Sequence, residues 1–110
     1  VLYFKDDVEI GGVQPETVLA LTMCNEVFKE KGYDTYITSL VDGKHGKGSK
    51  HYIGFAFDLR TKHLQGGYLG SLALKITDTI KKVLGINFDV VLEKNHIHVE
   101  YDPKTGINLN

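Results

Sequence analysis

Three of the five histidines in this 110-residue chain fall in two short stretches. Ser49-Lys50-His51-Tyr52-Ile53-Gly54-Phe55-Ala56-Phe57-Asp58 puts a carboxylate seven residues after its histidine. Glu93-Lys94-Asn95-His96-Ile97-His98-Val99-Glu100 puts two histidines between two further carboxylates. Neutral imidazoles plus one carboxylate form a ligand set that Zn²⁺ accepts, and three protein ligands leave a fourth position for water, as a catalytic rather than a structural site requires. Together the two stretches read as one zinc site.

Such a site makes demands on the backbone. A regular strand rises about 3.3 Å per residue, so His51 and Asp58 would lie roughly 23 Å apart and on opposite faces. The chain must bend between them, and Gly54, with no Cβ, is the place for the bend. Beyond it Phe55, Phe57 and Leu59 alternate with Ala56, Asp58 and Arg60. The bulky set is expected to enter a core, with Ala56 leaving room beside Asp58. His96 and His98 share one strand face, with Glu100 next along it. An acid among Phe55, Ala56, Phe57 and Leu59 is costly to bury without a cation or base beside it.

Ser49, His51, Gly54, Ala56 and Asp58, in the pattern Ser-x-His-x-x-Gly-x-Ala-x-Asp, followed by His96-x-His98, resemble the M15-type zinc peptidases. This group includes D-alanyl-D-alanine carboxypeptidases and phage endolysin peptidases, within the lysostaphin and D-Ala-D-Ala metallopeptidase fold group, and the resemblance extends over residues 39–101. It implies His51, Asp58 and His98 as ligands of Zn²⁺, and a peptide of the peptidoglycan stem or cross-link as substrate. It also implies action at the bacterial cell wall, with a phage-encoded origin compatible with it. Glu93 and His96 are the candidates for the base. The family's glutamate comes three residues before the ligand histidine; Asn95 stands three before His98, and Glu93 three before His96. Either Glu93 or His96 therefore serves the water, and His96 is the alternative to His98 as ligand. The family's carboxylate-gripping arginine has no counterpart in Ser39-Leu40-Val41-Asp42, which leaves Lys44, Lys47, Lys50 or Arg60 as substitutes. The alternative function is a non-catalytic zinc-binding interaction or virion structural module of the same fold.

Composition bounds these readings. With 42% hydrophobic and 25% charged residues, residues 1–110 are expected to form one globular zinc peptidase-like domain around a single core. A formal charge of -1 gives no general attraction to nucleic acid, and a monomer is expected. Cys24 is the only cysteine, so neither a disulfide framework nor a cysteine zinc knuckle is possible. No apolar run approaches the roughly 20 residues that span a bilayer. A start at Val1 rather than methionine is what a trimmed product or fragment would show.

The expected fold class is α+β, a small central antiparallel sheet with two main helices, similar to hedgehog and D-Ala-D-Ala-peptidase domains. Residues 1–10 are expected to form an edge strand or arm. A helix begins at Pro15, repeats Val18, Leu21, Cys24 and Val27 or Phe28, and stops at Gly32. A strand over 33–40 precedes a glycine-rich loop over 42–50, expected to be mobile and to gate the site. After the Asp58 strand comes a polar loop over 61–70, then a helix over 69–84 stopped by Gly85, and strands over 88–93 and 96–101 joined tightly at Lys94-Asn95. His45 and His63, in polar loops, are expected to be solvated surface histidines.

Overall fold

The structure is a computed structural model that describes residues 1–40 and 54–103. The gating loop over 42–50 and the ligand candidate His51 lie outside the described residues. Five strands and two helices follow in the order β1 (Leu2–Phe4), α1 (Pro15–Glu30), β2 (Thr35–Ser39), β3 (Ala56–Arg60), α2 (Ser71–Leu84), β4 (Phe88–Leu92) and β5 (His96–Tyr101), with a short 3₁₀ turn at Gly67–Leu69 ahead of α2.

Local chemistry marks both ends of α1 and the C-terminal end of α2, whereas α2 starts at Ser71 and not at 69, because Gly67–Leu69 forms the 3₁₀ turn ahead of it. Pro15 supplies a fixed φ and no orphan N–H at the first turn of α1. At its other end Gly32 takes φ +83°, its N–H donating to the Lys29 carbonyl while the Tyr33 N–H donates to the Phe28 carbonyl. That pair of bonds is the Schellman arrangement, and it turns the chain directly into β2. Gly85 stops α2, also at a positive φ of +83°.

The sheet order is β1-β2-β3-β5-β4. Three of its four pairings are antiparallel, but β1 runs parallel to β2, so the sheet is mixed rather than wholly antiparallel. The physical reason is the connection: α1 lies between β1 and β2 in the chain, and a helical crossover returns the next strand in the same direction. The hairpin that joins β4 to β5 has the expected two-residue loop, Lys94-Asn95, closed by the Glu93 N–H on the His96 carbonyl at 2.8 Å.

Strand register sorts the side chains onto two faces. Leu59 faces Ile97, and Phe57 faces Val99 with Val90 beyond it. These join Ile37 and the inward sides of both helices, including Leu21, Phe28, Ile76 and Ile80, in one buried core. The other face carries Asp58 opposite His98, Arg60 opposite His96 and Ala56 opposite Glu100. Period-two alternation thus puts aliphatics into the core and ionisable groups on the side away from it. Phe55 departs from expectation: it stays outside this core and packs on Tyr101, ring centroids 5.7 Å apart. It precedes the first paired residue of β3, so the alternation does not fix its direction.

Gly54 does make a turn. Its φ is +81°, and a Cβ there would run into the Gly12 carbonyl oxygen and the Val13 Cα. Its own carbonyl accepts from the Gln14 N–H at 3.1 Å and the Thr17 hydroxyl at 2.8 Å, tying the entry of β3 to the start of α1. Gly54→Ala is expected to destabilise the fold by about 2–3 kcal/mol, because left-handed backbone strain and backbone overlap add. Urea unfolding of the two proteins would measure it; an unchanged midpoint would show that this junction is soft.

Candidate metal centre

The site is assembled from two adjacent antiparallel strands. Because Asp58 of β3 and His98 of β5 are directly paired, their side chains emerge together, and the carboxylate Oδ1 lies 3.0 Å from His98 Nδ1. His96, two residues earlier on the same face, brings Nε2 to 3.6 Å from the same oxygen. A register irregularity in the β2–β3 pairing between Ile37 and Ser39 places Ser39 across from Asp58 on the other side. Bulges of this kind re-aim side chains beside functional sites.

Asp58, His96 and His98 each present one ligand atom, all within 4.8 Å of one another, and the group could hold a metal ion. Zinc bonds of about 2.0–2.1 Å at tetrahedral angles separate ligand atoms by roughly 3.3 Å. The 3.0 Å and 3.6 Å separations bracket that value. The donor set, two imidazoles and a carboxylate, fits a borderline-soft divalent ion. Asp58 is only 13% exposed, so its charge is held in a poorly solvated place where a cation or imidazolium must balance it.

Within the cluster His98 supplies that balance. Its second nitrogen, Nε2, lies 2.8 Å from Glu100 Oε1, so the ring is held between two carboxylates. The hydrogen bond to Asp58, helped by the one to Glu100, raises its pKa from 6.5 to about 9 against the opposing effect of burial. At neutral pH the ring is an imidazolium donating to both. A raised folded pKa stabilises the fold fully below the unfolded value near 6.5, and that stabilisation is lost as pH rises through about 9. In chelator-treated protein, raising pH from about 6 to about 9.5 is expected to cost on the order of 1–2 kcal/mol after allowance for solvent screening, and His98→Gln should lack this loss. Urea midpoints across that range measure it; equal pH slopes in the two proteins would remove His98 as the cause.

Glu93, the other base candidate, is half exposed, with Oε1 3.7 Å from His96 Nε2. The structure therefore brings together two of the residues that the family resemblance implies as ligands, Asp58 and His98, and adds His96, one of the two base candidates. Glu100 was legible only as the next residue on the His96-His98 face; its grip on His98 Nε2 depends on side-chain geometry that strand alternation alone does not give.

His63 corrects another expectation. Instead of a solvated surface histidine it is a half-buried ring lying parallel to Phe28 and edge-on to Tyr33 and Tyr36. Its Nε2 is 2.8 Å from the Asp34 carbonyl, and Arg60 Nε donates to its Nδ1 at 3.3 Å. Burial is the main cause lowering its pKa. Its partners come not from the neighbouring Thr61-Lys62-His63-Leu64 sequence but from residues 28–36, on α1, β2 and the turn between them. Cys24 sits wholly in the core, where burial pushes the thiol up to about 12 and removes it as a nucleophile. Among the described residues no helix is long and apolar enough to cross a membrane. Compared with known proteins, the chain matches no protein family, no curated protein and no solved structure.

Proposed function

We propose that this protein is a zinc-dependent peptidase acting on peptidoglycan stem or cross-link peptides, of the D-Ala-D-Ala carboxypeptidase or endopeptidase type. The observation that carries the metal part is the convergence of Asp58, His96 and His98 on the face of the sheet away from the core. The peptidase part is supported by the resemblance of the Ser49 to Asp58 pattern and the His96-x-His98 pair to M15-type enzymes.

Zinc bound there would supply a Lewis acid for the scissile carbonyl and lower the pKa of water from about 15.7 to about 7. The chain's residues do the rest. Asp58 and His98 hold a preset geometry because each is locked to the other across the strand pair. Glu93 would take the proton of the attacking water and return it to the leaving amine, a role supported by its Oε1 lying 3.7 Å from the same His96 nitrogen that faces Asp58. The second reading, a metal-binding module without turnover, is favoured by one feature: both nitrogens of His98 already have carboxylate partners, so the cluster is self-consistent without chemistry.

Purified peptidoglycan of several cross-link types, incubated with zinc-loaded protein with and without chelator, separates the two. The expected result is release of peptide fragments or free D-alanine, seen by mass analysis and abolished by chelator. Retained zinc with no fragment from any substrate would sink the peptidase reading and leave the module.

A further inference from the structure

Asn95 is the second residue of the two-residue turn between β4 and β5, a place where asparagine is ordinarily explained by its tolerance of left-handed backbone. That explanation does not hold here. Among the described residues no residue other than glycine has a positive φ, so the turn makes no demand that another side chain could not meet. The side chain is used instead. Asn95 Oδ1 is hydrogen-bonded to His96 Nδ1, and Asn95 lines the same cleft as Asp58 and His96.

That bond places a proton. An amide oxygen can only accept, so Nδ1 carries the hydrogen, and the neutral ring keeps its lone pair on Nε2. Nε2 lies 3.6 Å from Asp58 Oδ1 and 3.7 Å from Glu93 Oε1. Both distances are beyond hydrogen-bond reach, so neither carboxylate binds a proton on that side of the ring. The 3.6 Å gap to Asp58 is instead close to the roughly 3.3 Å that separates two ligand atoms on one tetrahedral zinc. His98 is held on the same plan with its nitrogens exchanged: Nδ1 faces Asp58, and Nε2 is bonded to an acceptor outside the group, Glu100. An outer acceptor of this kind fixes the tautomer and the rotation of a ligand histidine.

We propose that Asn95 is the positioning residue of His96: its side-chain carbonyl keeps the ring proton on Nδ1 and turns the Nε2 lone pair toward Asp58, where a divalent metal ion takes it. The second half rests on the metal-centre reading. The first half, the position of the proton, is independent of metal and of turnover.

The test is ¹⁵N NMR of the full chain labelled at its histidine ring nitrogens, first chelator-treated and at a fixed pH where the His96 ring is neutral, then loaded with ¹¹³Cd²⁺ as a spin-active stand-in for zinc. Long-range proton–nitrogen correlations of the chelated protein should show His96 with its hydrogen on Nδ1. In the loaded protein the cadmium coupling should appear at His96 Nε2. Asn95→Ala should move the proton wholly or partly to Nε2 and weaken Zn²⁺ binding about tenfold, as loss of an outer partner does. Asn95→Asp, which keeps the acceptor, should restore both the tautomer and the affinity. Circular dichroism checks that each variant keeps its fold, and the two readings on the parent protein decide the proposal even where a variant does not. A parent His96 with its hydrogen on Nε2, cadmium coupled to Nδ1, or a folded Asn95→Ala with unchanged tautomer and affinity would overturn it. A parent with the hydrogen on Nδ1 that binds neither Cd²⁺ nor Zn²⁺ would overturn the metal half, and the metal-centre reading with it, while leaving Asn95 as the residue that sets the tautomer.

Discussion

Asp58→Asn is expected to abolish zinc retention, with affinity falling by more than about 10²-fold, because even an outer partner of a zinc ligand is worth roughly 10- to 100-fold. The asparagine keeps nearly the same shape, so loss of metal would report the carboxylate's charge and not a cavity. The chelated variant offers an independent check. Asp58 is the first cause of the raised His98 pKa, so His98 in Asp58→Asn should titrate well below about 9, nearer its ordinary 6.5. Zinc content by elemental analysis, alongside an NMR titration of the His98 ring, decides both. His98→Ala and His96→Ala should also lose metal, whereas His63→Ala, outside the cluster, should keep about one zinc per chain. Full occupancy in Asp58→Asn would mean that the cluster is a hydrogen-bonded network and not a ligand set.

Glu93→Gln is expected to keep zinc and fold while lowering turnover by roughly 10²- to 10⁴-fold, the usual worth of a positioned acid-base group. Glu93 lies outside the group of three ligand atoms and is half exposed, so its loss should not reach the metal. His96→Ala should instead lose rate and metal together, since its Nε2 belongs to the group. Turnover must be measured with zinc content, because lost metal imitates lost chemistry. Mild loss in Glu93→Gln, with severe loss and retained zinc in His96→Ala, would exchange the two roles and make His96 the base.

How much of this could be read from the sequence depended on the length scale of the interaction. Both helices were legible, since Pro15, Gly32 and Gly85 mark ends that depend only on neighbouring residues. The β4–β5 hairpin was legible for the same reason. Asp58, His96 and His98 could be singled out by type and spacing, and alternation put the histidines on one face. The pairing that sets Asp58 against His98 joins residues forty apart, and no local signal specifies it. The edge strand expected among residues 1–10 is present as β1, but its direction escaped, because three residues are too few to show a period and the helix that follows decides which way the strand runs. His63 was misread because its polar neighbours describe the loop that carries it, while the rings and carbonyl that enclose it come from α1, β2 and the turn between them.

The two-residue connection at Lys94-Asn95 has a consequence for how this protein can vary. Side chains on β5 alternate strictly between the ionisable face and the core: His96, His98 and Glu100 against Ile97 and Val99. Sliding β5 by one position against β3 would send the imidazoles among the aliphatics and bring the aliphatics out to Asp58. Substitutions along this hairpin can be graded, each costing what its own contacts are worth. A single-residue insertion or deletion between Glu93 and His96 that is absorbed by slippage is all-or-none, erasing the metal group and part of the hydrophobic interior in one event. Descendants of this chain should therefore differ here in residue type and hold the length of the turn constant.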